Sequence, residues 1–308
     1  MKHHYVPAFY LRSFVDPACP VEYEPYLWVV DLDKGKIRRQ SPDNSAALTD
    51  YYAVGDGETR HDVEKYLAEV ESKTAPVVAR ILGETETIEA DDKRVLSYFA
   101  AFQIVRVPQF RNRIEAFITE IGQTLNAMMI QSRERYESAL RQAMPGGDFT
   151  AEEVERLYAG ARDVGSYRIV ANPEAALGHG LRVVPQIADL LNRMSWAVME
   201  PAGAENYWSS DNPLYYINPE SKHPFLGHAL GVKGVEVNLP LGPRRCLLMA
   251  WSDIAGPRTP MKDVRIAQER GIAAAKRYLF CSTEQDAQTA FDTHRRLFPR
   301  RVPGAMPL

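Results

Sequence analysis

The chain has 308 residues, 45% hydrophobic and 25% charged, a composition that excludes disorder, collagen and coiled-coil architectures. Lys+Arg 37 against Asp+Glu 40 leaves a formal charge of -3, so no global basic field draws the chain to nucleic acid or membrane. Contact with a phosphate-containing ligand or nucleic acid would have to come from a local basic patch.

Cys19, Cys246 and Cys281 are odd in number, far apart and without CxxC spacing, which suits a reducing cytosol rather than a disulfide framework. No apolar run approaches the ~20 residues of a membrane span. The opening MKHHYVPAFYLRSF has no apolar signal core, so a cytoplasmic location is the expectation.

Residues 1–60 read as short strands and turns. Tyr26 to Leu32 is β-branched and aromatic, Asp33-Lys34-Gly35-Lys36 is a turn, and Ile37-Arg38-Arg39 returns as the second strand of a hairpin. Asp50 to Val54 reads as a third strand, closed by Gly55-Asp56-Gly57.

Residues 61–194 read as helices. Val63, Leu67, Val70, Thr74, Val77 and Ile81 recur at three and four, and Gly83 stops that stripe. After the acidic linker Glu84 to Glu89, the stripe Val95, Tyr98, Phe99, Phe102, Val105 marks a second helix that Pro108 kinks or ends. One long helix is predicted from about Arg111 to Met144. Another starts at Thr150, with Glu153 at the capping-box position, and another runs from Asn172 to about Met194.

Residues 195–308 return to strands: 196–200, 207–209, 214–217, 235–239 and 246–251. Helices over 263–276 and 283–296 flank the apolar Tyr278-Leu279-Phe280-Cys281, and a frayed tail follows Phe298. This order lacks regular βαβ alternation and predicts one α+β domain. Its N-terminal β-hairpin joins a C-terminal antiparallel sheet, and a central helical bundle packs against it.

Three clusters carry chemistry. In an extended His3-His4-Tyr5-Val6, neighbouring side chains face opposite sides, so the two histidines cannot easily share one metal. Either one can act as base or ligand near neutral pH, and an anchoring role for the N-terminus is the plainer alternative. Gln103 and Arg106 share a helix face, with Arg111 and Arg113 beyond and no acid between Lys93 and Ile114. A guanidinium fork suits phosphate. The competing reading pairs Arg106 with Glu64 or Glu71, which lie seven apart on one helix face. Ser209-Ser210-Asp211-Asn212-Pro213 is a turn that can present a carboxylate and an amide into a cleft. P-loop, GxGxxG, HExxH and GxSxG patterns are absent, which disfavours the chemistries they serve.

Taken together, HHYVPAFYLRSF, LWVVDLDKGKI, DYYAV, VEKYLAEVE, FQIVRVPQFR, SSDNP and LPLGPRR resemble the bacterial domain-of-unknown-function 4238 family, whose members begin with a similar HHYVPxFYLxxF signature. The resemblance spans His3 to about Ser282. It implies that His3, His4, Pro7, Tyr10, Glu64, Arg106, Asp211, Asn212 and Pro213 hold signature positions, and it carries no activity with it.

Two functions follow from the residues. A metal-dependent phosphodiesterase or nuclease-like hydrolase would use His3 or His4, Asp211 and Glu64 or Glu71 around a divalent metal, with Asn212 facing a developing oxyanion. Tyr10, Gln103, Arg106 and Arg111 would then hold the ligand. A non-catalytic module would use the same residues to recognise a nucleotide, nucleic acid or peptide in a defence or regulatory system, with tyrosines as stacking surfaces.

Overall fold

The computed structural model describes residues 2–53, 61–83, 87–222, 228–254, 258–261 and 264–299. The Gly55-Asp56-Gly57 turn, the first half of the acidic linker, Val54 and the tail beyond Pro299 lie outside them. The protein is α+β, and its chain divides into two compact units, residues 1–109 with 180–308, and residues 110–179.

In the first unit the hairpin forms as the sequence predicts. Strands β2 (Leu27–Asp31) and β3 (Lys36–Gln40) pair antiparallel, and Gly35 takes the left-handed φ of 61° that the turn requires. The hairpin is completed by β11 (Tyr278–Cys281) and β6 (Ser209–Ser210), in the order β3-β2-β11-β6.

The remaining C-terminal strands do not join this sheet. β5 (Ser195–Pro201), β7 (Tyr215–Ile217), β8 (Glu236–Gly242), β9 (Arg245–Ala250) and β10 (Arg258–Met261) form a second one, ordered β10-β5-β9-β8-β7. The single sheet expected from the strand run is therefore two. The partner of the hairpin is the short apolar run 278–281, which four residues of sequence cannot distinguish from a loop or a helix end.

Near the N-terminus, β1 (Lys2–His4) pairs with β4 (Ala47–Thr49). The strand predicted at 50–54 is displaced to 47–49, because Ala46 and Asp50 both take left-handed φ values, of 48° and 51°. These bends turn residues 50–52 off the strand and aim the Tyr52 amide at β1. After β1, Pro7 opens the short helix α1 (Ala8–Leu11), whose Tyr10 and Leu11 are fully buried.

Helices α2 (Asp62–Leu82) and α3 (Ala90–Val105) pack together, with Tyr66 and Phe102 rings 5.7 Å apart. From Leu96 onward α3 is buried on nearly every face except at Tyr98, which is exposed rather than in the predicted stripe. That all-round burial carries Gln103 and Arg106 into the interior. Helix α8 (Val264–Ala274) and helix α9 (Glu284–Leu297) cover the hairpin sheet through Ile272, Ala287 and Ala290, which pack with Trp28, Val30 and Leu279.

In the second unit, the helix predicted over 111–144 is two. α4 (Pro108–Met129) ends, and Ser132 caps α5 (Arg133–Ala143) by accepting the Arg135 N–H at 3.2 Å. A serine at that point offers the backbone a cap that competes with helix continuation. Helix α6 (Ala151–Arg162) carries the predicted capping box between Thr150 and Glu153, and α7 (Pro173–Arg193) starts in this unit and runs into the residues of the first from Gly180. Tyr136 and Tyr158 bring α5 and α6 together at 5.6 Å. Among the described residues, no helix is long and apolar enough to cross a membrane.

Candidate functional site

The predicted site residues fall into two clusters. The first is a buried polar network where β1, α2 and α3 meet. Arg106, 3% exposed, donates to Glu71 at 2.8 Å through Nη1, to the Tyr52 hydroxyl at 3.3 Å through Nε, and to the His4 carbonyl through Nη2. The Tyr52 hydroxyl in turn donates to the Arg106 carbonyl at 3.1 Å. Of the two carboxylates the sequence offered, Glu64 and Glu71, the one that pairs with Arg106 is Glu71. Each of the three guanidinium nitrogens donates one bond inside the protein, so three of its five N–H groups are committed and the fork is not free for a phosphate.

His3 is fully buried, stacks on Tyr52 with ring centroids 5.7 Å apart, and meets the His61 ring edge-on at 5.7 Å. Its Nδ1 accepts the Tyr52 backbone N–H at 2.9 Å. Burial, with His61 adding to it, pushes the imidazole pKa below its usual value, so the ring is neutral near pH 7. A neutral imidazole whose Nδ1 accepts must carry its proton on Nε2. His3 therefore offers a donor at its free nitrogen, where a general base or metal ligand needs a lone pair. His4 Nε2 donates to the Asp43 carbonyl at 3.1 Å, so both histidines anchor the N-terminal strand.

Four side chains in this region hold buried polar atoms that find no partner: His3 Nε2, His61 Nδ1, Glu64 Oε2, and both amide atoms of Gln103. Burial raises the Glu64 pKa, and the Arg106 charge works against that rise. In the sequence His61 is a single histidine outside the three clusters. Its signal was the spacing His61-x-x-Glu64, one turn apart at the start of α2.

The second cluster is built by the Ser210-Asp211-Asn212 turn. Asp211 accepts the backbone N–H groups of Lys276 at 2.8 Å, Arg277 at 2.8 Å and Tyr278 at 3.2 Å, and the Asn212 amide donates to the Ala274 carbonyl at 3.2 Å. Burial raises the Asp211 pKa, and the three N–H groups oppose it. The turn read as catalytic thus clamps the segment 274–278 and presents it at a cleft of about 320 Å³.

Tyr5, Arg38, Asp211, Lys276, Arg277 and Tyr278 line this cleft. The Arg277 and Arg38 guanidinium carbons stand 4.8 and 5.6 Å from the centre of the Tyr278 ring. Both arginines reach the same buried carboxylate, Asp31, at 3.2 and 3.6 Å. Burial pushes the Asp31 carboxyl up, but bonds from Arg277 and Lys34 outweigh it and hold the pKa below the usual range. Lys276 is exposed. Burial and the nearby Asp211 push the Tyr5 hydroxyl pKa up. Composition did not mark Lys276-Arg277-Tyr278 as a site, because an exposed basic pair before an apolar run is ordinary surface.

The two clusters meet the same N-terminal segment but are not one site. Tyr5, next to His4, stands in the cleft with Asp211, while His3 and His4 bond elsewhere. Tyr10 belongs to neither: its hydroxyl donates to the Pro240 carbonyl and accepts from Ser209 at 2.8 Å, in the core. Arg111 pairs with Glu115 at 2.9 Å one turn along α4, in the second unit. Among the described residues, no group of three or more His, Cys, Asp or Glu is placed to hold a metal ion.

With both clusters inside the matched span, the chain belongs to the DUF4238 family of proteins of unknown function, whose model covers residues 2–280. No curated protein and no solved structure matches it.

Proposed function

We propose that the chain is a non-catalytic binding module that takes a phosphate-bearing, nucleotide-type ligand in the cleft between β3, β4 and the 276–278 segment. One observation carries this reading. Arg38 and Arg277 stand over the Tyr278 ring, and Lys276 lines the same cleft of about 320 Å³, within the size range of small-molecule sites. Asp31 is shared by two of those cations and Arg277 also reaches Asp33 at 3.6 Å, while Lys276 is exposed and open to a ligand. Cations beside an aromatic face are the elements that hold a phosphate and stack a base. Asp211 turns its oxygens to backbone N–H groups and so does not present them to an anion. The hydrolase reading draws less support, because His3 offers a donor and Arg106 is committed to Glu71.

The test is calorimetric titration of the full chain with AMP, ADP and inorganic phosphate, with adenosine as the phosphate-free control. Phosphate-bearing probes should bind more weakly as salt rises, and Lys276→Ala combined with Arg38→Ala should weaken them at least tenfold without lowering the melting temperature. Equal binding of adenosine and AMP, or no loss in the double variant, would refute the reading. Turnover of a phosphodiester probe with added divalent metal would revive the hydrolase.

A further inference from the structure

The unpartnered atoms around His3 are the least ordinary feature of the interior. Buried polar groups in proteins nearly always find a hydrogen-bond partner, and each orphan calls for a water, an ion or a ligand. Here five such atoms lie on four side chains: His3 Nε2, His61 Nδ1, Glu64 Oε2, Gln103 Nε2 and Gln103 Oε1. His3 and Gln103 are both fully buried.

The four side chains follow one another along one ring contact, the helix spacings and the charge of Arg106. His3 meets His61 edge-on, and His61 and Glu64 are one turn apart. Glu64 feels the charge of Arg106, and Gln103 lies one turn before Arg106 on the same face of α3. His61 and Glu64 are only partly buried, so the cluster approaches the surface at the first turn of α2.

We propose that this cluster is a second binding site, distinct from the cleft, for an uncharged ligand carrying an amide or lactam edge, in which a carbonyl and an N–H lie side by side. The donor and acceptor pattern selects that chemistry. His3 presents an N–H, because its Nδ1 already accepts from Tyr52. Glu64 presents an acceptor oxygen, and the Gln103 amide presents one donor group and one acceptor. A ligand carbonyl satisfies His3 and the Gln103 amino group, and its N–H satisfies Glu64 or the Gln103 oxygen.

Net charge on the ligand is disfavoured from both directions. A cation meets Arg106 and the His3 N–H, and an anion meets Glu64 with Glu71 beside it. A site built from such partners discriminates strongly against an analogue that leaves them unpaired.

The experiment titrates the full chain with hypoxanthine and with nicotinamide, each carrying the amide or lactam edge, and with purine, which has the hypoxanthine ring without it. These probes carry no phosphate, so the outcome is independent of the cleft. At least one of the first two should bind at millimolar concentration or better, purine should bind at least tenfold more weakly, and Gln103→Leu should cost at least tenfold. Glu64→Gln is the second variant should Gln103→Leu fail to fold, and it too should weaken binding. The proposal is overturned if neither amide probe binds, if purine matches hypoxanthine, or if the folded variants bind as the parent does. A higher melting temperature in Gln103→Leu with unchanged binding would likewise overturn it, by showing the amide to be a burdened core residue.

Discussion

Arg106 and Arg111 lie five residues apart, on either side of Pro108, yet they belong to two regions held by different physics. Arg106 is enclosed and makes contacts 35, 54 and 102 residues away in sequence, with Glu71, Tyr52 and His4. Arg111 reaches Glu115 one turn along its own helix, and both side chains keep 21% and 30% of their surface. The same contrast separates the two units. The first is tied by long-range polar networks among buried groups. In the second, neither α4 nor α5 has a fully buried residue, and caps and (i,i+4) pairs such as Arg133–Glu137 recur. A charge is expensive to strip of its partners where water cannot reach, and nearly free to strip where it can.

Arg106→Ala should produce the largest effect, a loss of about 3–5 kcal/mol in chemical denaturation, since Glu71 and the His4 carbonyl lose their buried partner. Unchanged stability would mean that the network does not hold the first unit together. Asp211→Ala comes next, at about 1–3 kcal/mol, because three backbone N–H groups of the 276–278 segment lose their acceptor. If that variant also loses affinity in the cleft while Lys276→Ala keeps its stability, the clamp and the ligand contact are separable roles.

A pH titration sharpens the comparison further. The folded His3 pKa is depressed by burial, so the unfolded chain binds the proton first as pH falls below about 6.5. Stability from this group is present above that pH and drains away on acidification. His3→Asn, whose side-chain oxygen can still accept the Tyr52 N–H, should lose less melting temperature than the parent between pH 7 and pH 5. Identical slopes for the two would contradict the assignment. Smallest of all, Arg111→Ala should cost about 0.3–0.5 kcal/mol, the usual worth of an (i,i+4) pair that water still reaches. A cost comparable to that of Arg106→Ala would erase the distinction between the two arginines.

Elements were legible where local chemistry decides them. The hairpin around Gly35, the α2 stripe, the Thr150–Glu153 capping box and the helix end before Pro108 each depend on a few consecutive residues. Errors came where distant partners intervene. β4 sits at 47–49 because two left-handed residues bend the chain toward β1, and β11 is a strand because β2 and β6 flank it. The site divides in the same way. Six of the named residues, His3, His4, Glu64, Glu71, Gln103 and Arg106, lie in one region of the interior, but His61 offers only its spacing to Glu64, Tyr52 reads as part of a strand, and Lys276-Arg277-Tyr278 reads as ordinary surface.

What the sequence determined alone is therefore the α+β order and the helix caps and turns, since propensity and capping act over short range. Tertiary structure alone decided that Glu71 is the carboxylate paired with Arg106, that the C-terminal strands divide between two sheets, and that the Asp211 turn clamps a basic segment. It also decided that the free nitrogen of His3 is a donor. Each of these depends on which groups meet across tens to hundreds of residues, and on the low dielectric that makes such meetings count.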